Sequence, residues 1–181
     1  MDNAINNPRE KIIITVSRVT EVKNIELLIS SFGVIAGDFK DWKLEIIGPV
    51  KDNKYLESLN KIIDKLNLKD RITFKGPYGL EQLKDIYSRA SIFCLFSINE
   101  GSPISRLEAI ASGMYVISSP AGCAEDTAKY GIHIVPFNDI QAFAREIRQG
   151  IVSIENGDFM FNRKMITSYD DIIKSIISDS F

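Results

Sequence analysis

Short runs rich in Ile, Val and Phe recur between longer segments whose apolar residues repeat at helical spacing, and this alternation constrains the chain more than any other feature. Such a chain buries a parallel sheet between helical layers, because a helix must carry it back before the next strand can run the same way. Lys11 to Val16 reads as the first strand, and Asn24 as the cap of a helix with Ile25, Leu28, Ile29 and Phe32 on its apolar face. Lys43 to Ile47 follows as a strand ending at Gly48-Pro49, then a helix with Leu56, Leu59, Ile63 and Leu66 on one stripe. Arg71 to Lys75, Ser91 to Phe96, Tyr115 to Ser118 and Ile132 to Val135 read as further strands. Helices are expected over Leu80 to Arg89, Ile104 to Ala111, Asp139 to Ile154 and Ser168 to Ile177, with Gly113 and Asn156-Gly157 as stops. The fold class expected is α/β: one Rossmann-like domain spanning residues 1–181, its parallel sheet covered by helices on both faces.

Composition narrows the function. A chain of 181 residues with 45% hydrophobic and 25% charged side chains buries a core without covalent staples. Its 22 Lys and Arg against 24 Asp and Glu leave a net charge of -2, so no basic excess exists to drive sequence-independent nucleic-acid binding. No apolar run approaches the roughly 20 residues of a membrane span, and residues 1–11 carry no signal-peptide pattern. Cys94 and Cys123 lack C-x-x-C spacing and read as reduced thiols of a cytoplasmic protein. Any membrane contact has to come from another part of the protein or a surface patch.

Open parallel sheets bind ligands at the carboxyl ends of their strands, so the loops there carry the functional signal. Neither G-x-G-x-x-G nor G-x-x-x-x-G-K-[ST] occurs, which argues against a nicotinamide dehydrogenase or a P-loop nucleotidase. The loop after the first strand instead holds Arg18 and Lys23, a planar fork and a mobile point charge that suit a diphosphate and equally suit solvent. After the fourth strand comes Glu100-Gly101-Ser102-Pro103-Ile104-Ser105-Arg106-Leu107-Glu108. Ser102 reads as an N-cap with Pro103 at the first helical position, leaving the amides of Ile104 and Ser105 free to meet an anion. Glu100 and Glu108 flank that position. They read either as hydroxyl-binding carboxylates or as a solvated loop residue and a helix-favoured Glu. No D-x-D or His/Asp cluster suggests a metal, and His133 reads as a packing residue.

Taken together, E-G-S-P-I-S-R-L-E-A-I-A-S-G resembles the E-x7-E segment of glycosyltransferase family 4, retaining nucleotide-sugar-dependent enzymes of GT-B fold. S-R-V-T-E-V-K-N-I-E-L-L-I, L-E-I-I-G-P, L-K-D-R-I-T-F-K-G-P and L-K-D-I-Y-S-R-A-S-I-F-C-L-F-S resemble the family's other segments in the same order. The resemblance implies that Arg18 and Lys23 neutralise the donor diphosphate and that Glu100 meets the donor sugar, the three forming the catalytic set. It assigns Glu108 to the ribose hydroxyls, and Gly101, Ser102, Ile104 and Ser105 to the sugar and phosphates. Pro77 and Tyr78 would line the base pocket. The implied partner is a nucleoside-diphosphate sugar, with no metal and no further cofactor.

Family members pair two similar domains, and this chain resembles only the second, donor-binding one. The resemblance therefore implies the C-terminal half of a longer enzyme whose N-terminal, acceptor-binding domain is absent, and which would make transfer impossible for this chain alone. A stand-alone sugar-nucleotide-binding module is the alternative. The sequence also departs from the family at Ser102, at Arg106, expected to face solvent, and at Ala121-Gly122-Cys123-Ala124-Glu125-Asp126, which lacks G-G-x-P-E.

Overall fold

The computed structural model describes residues 9–159, apart from 102 and 123. Its elements are β1 (Glu10–Val16), α1 (Ile25–Ile35), β2 (Lys43–Ile47), α2 (Asn53–Lys65), β3 (Ile72–Gly76), α3 (Leu80–Arg89) and β4 (Ala90–Leu95). Then come α4 (Ile104–Ala111), β5 (Tyr115–Ser118), β6 (His133–Ile134) and α5 (Ile140–Glu155), with 3-10 turns at Glu21–Lys23 and Glu125–Tyr130. All six strands are parallel, in the order β3-β2-β1-β4-β5-β6. The expected helix from Ser168 to Ile177 and the thiol of Cys123 lie outside the described residues.

Successive strand residues alternate between two cores, which is why the strands read as continuous apolar runs rather than as alternating patterns. Ile13, Leu44, Ile46, Ile92 and Cys94 pack beneath α1, α2 and α5. Ile12, Ile14, Ile47, Phe93 and Leu95 pack beneath α3 and α4. Each such buried side chain contributes roughly 1.5–3 kcal/mol, so a one-residue slip of a central strand is prohibitive. Among the described residues, no helix is long and apolar enough to cross a membrane.

Two local expectations need correction. Asn24 occupies the N-cap position of α1 but makes no side-chain cap, because the preceding 3-10 turn leaves it left-handed at φ 50°. Its side-chain amide donates to Asn138 instead. On α2 the buried stripe is Tyr55, Leu59 and Ile63, while Leu66 is exposed. Asp52 starts this helix by accepting from the amides of Lys54 and Tyr55, and that phase turns Tyr55 inward so that its hydroxyl meets the Glu26 amide.

His133 does pack, but within a polar cluster. Its ring stacks on Tyr115 at 4.2 Å, and its Nδ1 lies 2.8 Å from Glu146 Oε1, to which the Tyr115 hydroxyl also donates at 2.6 Å. Burial pushes the Glu146 carboxyl up, yet the bonds from His133 and Tyr115 outweigh it and hold the group below its ordinary value. The cluster's stability is therefore complete above the unfolded carboxyl's pKa and lost as pH falls through the lowered folded value. Glu146→Gln is expected to flatten the acid limb of stability, checked by urea unfolding between roughly pH 3 and 7.

Candidate functional site

The strand order puts β1 beside β4, while their outgoing connections diverge: β1 leads to α1 on one face and β4 to α4 on the other. A crevice opens at such a switch point. Three loops meet there.

The first loop, residues 17–24, is pinned by backbone. Ser17 N–H donates to the Ile47 carbonyl at 2.9 Å, and Val19 N–H to that of Pro49 at 3.0 Å. Gly48 permits this approach: at φ 141° it sits so close that a Cβ would stand 2.0 Å from the Ser17 carbonyl oxygen. Arg18 is exposed, and the 3-10 turn ends on the half-buried Lys23.

The second loop, after β4, is tied to the first by the Ile98 amide, which donates to the Val22 carbonyl at 2.9 Å. Lys23 and Glu100 then meet. Their Nζ and Oε1 are 2.5 Å apart, with side-chain exposures of 12% and 10%. Ser97 Oγ donates to the same oxygen at 2.6 Å. Burying two charges is costly unless each keeps its partner and further hydrogen bonds, so the serine belongs to the pair.

Helix α4 begins beside Glu100. Pro103, not Ser102, occupies the N-cap position: its ψ of 103° keeps it extended, and its carbonyl accepts from the Arg106 amide. Ile104 and Ser105 thus supply the first two amides of the helix, which have no intrahelical carbonyl to bond. Glu108, half-buried in the second turn, accepts from the Tyr87 hydroxyl at 3.0 Å. Pro77 and Tyr78 follow β3; Pro77 is exposed, and Tyr78 lines a depression with Glu81, Gln82 and Asp85. Among the described residues, no group of three or more His, Cys, Asp and Glu side chains is placed to hold a metal.

The family model for "Glycosyl transferases group 1" matches residues 2–155. The chain belongs to this family. Mannosylfructose-phosphate synthase of Agrobacterium fabrum is 30% identical over 128 residues, 68% of this chain and 28% of that protein. An uncharacterised glycosyltransferase of Methanocaldococcus jannaschii is 33% identical over 132 residues, 71% of this chain and 33% of that protein. The match thus spans about a third of these relatives' length. Among solved structures, the C-terminal domain of a group 1 family protein of Francisella tularensis superposes with a TM-score of 0.73 at 21% identity, covering 84% of each chain. The Anabaena protein HepE, solved with UDP and glucose, gives 0.72 at 19% identity, covering 79% of this chain and 39% of that one. The fold is that of a GT-B glycosyltransferase half.

The third loop of this group 1 chain holds what the sequence left unread. Gly122, at φ 65°, lies so near the Glu100 loop that a Cβ would stand 2.6 Å from Glu100 Cβ and 2.9 Å from Pro103 Cδ. Arg106, expected in solvent, is 1% exposed. Its guanidinium donates to Ser118 Oγ at 3.3 Å, to the Ala121 carbonyl at 2.9 Å and to the Gly122 carbonyl, bracing the third loop from inside. The correction has a physical cause: α4 is only eight residues long, and position 106 faces β5, where loop carbonyls need a donor. A glycine in a turn does hint at close approach, whereas the charge of an arginine argues for solvent even where its helical phase is that of buried neighbours. Arg106→Leu is expected to lower stability by about 2–3 kcal/mol because it strands buried carbonyls. Arg106→Lys should recover only part, since an ammonium lacks the fork; denaturant unfolding measures both.

Proposed function

We propose that this chain is the donor-binding half of a retaining, metal-independent glycosyltransferase. It takes a nucleoside-diphosphate sugar and presents it to a glycan or lipid-linked acceptor held by an N-terminal domain of the same cytoplasmic enzyme. The carrying observation is the Lys23–Glu100 contact beside the first turn of α4, at the switch-point crevice. A cation and a carboxylate in contact beside the first turn of α4 support the reading that one ligand meets both. The known ligands of HepE, UDP and glucose, support the reading.

In this reading the diphosphate lies between Arg18, Lys23 and the amides of Gly101, Ile104 and Ser105; Ser102, which the resemblance assigns to the same group, lies outside the described residues. As the bond between the sugar's anomeric carbon and the phosphate oxygen breaks, the electron pair moves onto the leaving diphosphate. These groups stabilise that growing charge, which is the work a metal does elsewhere. Glu100 has one oxygen committed to Lys23 and Ser97, and its second accepts from sugar hydroxyls. Glu108 meets the ribose, and Pro77 and Tyr78 the base.

Calorimetry against UDP-, GDP- and ADP-sugars, with and without EDTA, tests the site; a strict requirement for magnesium or manganese would overturn metal independence. Lys23→Ala should cost about 1.5–3 kcal/mol of diphosphate affinity. It also leaves Glu100 facing the anion without its neutralising partner, so Glu100→Gln added to Lys23→Ala should restore part of the loss. Equal affinity of wild type and Lys23→Ala would remove Lys23 from the site.

A transfer assay tests the half-enzyme reading separately. Residues 1–181 should bind donor and transfer nothing, because effective molarity requires donor and acceptor in one cleft. Robust transfer by this chain alone would sink the requirement for a second domain.

A further inference from the structure

We infer that Tyr87 is a positioning residue for nucleotide recognition: its phenol sets the orientation of the Glu108 carboxylate against which the ribose hydroxyls bind. The inference rests on the ribose role proposed above for Glu108.

Tyr87 stands near the end of α3 and is 4% exposed, its ring 6.3 Å from that of Phe93 in the core beneath α3 and α4. The phenol oxygen meets α4. It lies 3.0 Å from Glu108 Oε2 and 3.2 Å from the Ser105 carbonyl oxygen. A phenol has one proton for these two acceptors, and the carboxylate makes the stronger charge-assisted bond. Both acceptors sit on one turn of α4, so a single core-anchored group touches the residue that supplies a first-turn amide and the carboxylate one turn later.

The consequence is chemical as well as geometric. A half-buried Glu has several rotatable bonds, and holding Oε2 removes that freedom before a ligand arrives, which lowers the ordering cost of binding. Oε1 is left to accept from vicinal hydroxyls. Tyr87 itself touches no ligand in this scheme.

Tyr87→Phe keeps the ring in the core and removes only the hydroxyl. Calorimetry on the whole chain would compare UDP, GDP and ADP, their 2′-deoxy counterparts and inorganic pyrophosphate. The expected result is a roughly tenfold loss of affinity for the ribonucleotide that binds, about 1.4 kcal/mol. The 2′-deoxy counterpart should lose less and pyrophosphate nothing. Glu108→Gln should give the same ribose-dependent pattern, and Tyr87→Phe added to it should produce no further ribose-dependent loss. If Glu108→Gln is ribose-selective while Tyr87→Phe weakens pyrophosphate equally or changes nothing, Tyr87 is structural and the inference fails alone. If Glu108→Gln shows no ribose dependence, the Glu108 role fails and takes the inference with it. If none of the ligands binds wild type, the donor site itself is overturned.

Discussion

The arrangement at the crevice depends on one desolvated ion pair. Lys23 and Glu100 lie 77 residues apart in sequence, on the loops that follow the neighbouring strands β1 and β4, and each side chain is about nine-tenths buried. Neither charge is tolerable there without the other, and breaking such a pair from one side costs several kcal/mol. The surrounding backbone contacts follow from that need. Gly48 lets the second connection press against the first, the Ile98 amide ties the fourth to it, and Gly122 lets the fifth close behind Glu100. Both loops are thereby held by backbone contacts as well as by charge.

Much of this was legible in the residues. Parallel strands buried on both faces announce themselves as unbroken apolar runs, so β2, α3, α4 and β5 have the bounds expected from sequence. Arg18, Lys23, Glu100 and Glu108 were marked by position, each just past a strand end or in the first turns of a helix. What sequence hid was mutual orientation. Nothing about Lys23 says that it meets Glu100 rather than solvent, because that distance is fixed by strand order, a long-range property. The phase of α2 went astray for a local reason: Asp52 caps the helix and turns Tyr55, not Leu56, toward the core.

Arg106 shows the limit more sharply. Its neighbours in α4 include Leu107, Ala109 and Ile110, all buried, so helical periodicity places 106 on the inner face, and only its charge argues otherwise. The charge is accommodated because the connection after β5 turns the carbonyls of Ala121 and Gly122 toward it, and a guanidinium fork spans several acceptors where a lysine could not. Buried arginine is rare enough that composition-based reasoning misplaces it.

The strand order carries one more implication, for how the molecule comes into being. Everything up to Gly76 builds the β3-β2-β1 side of the sheet, and β4 then crosses back to dock against the open edge of β1. The crevice lies on that seam. A nascent chain released early holds Lys23 on a loop without its buried partner, and only the docking of β4 supplies Glu100. The buried Lys23–Glu100 pair therefore reports on completed assembly: a partly folded chain cannot mimic the finished one, because half of that contact is still missing.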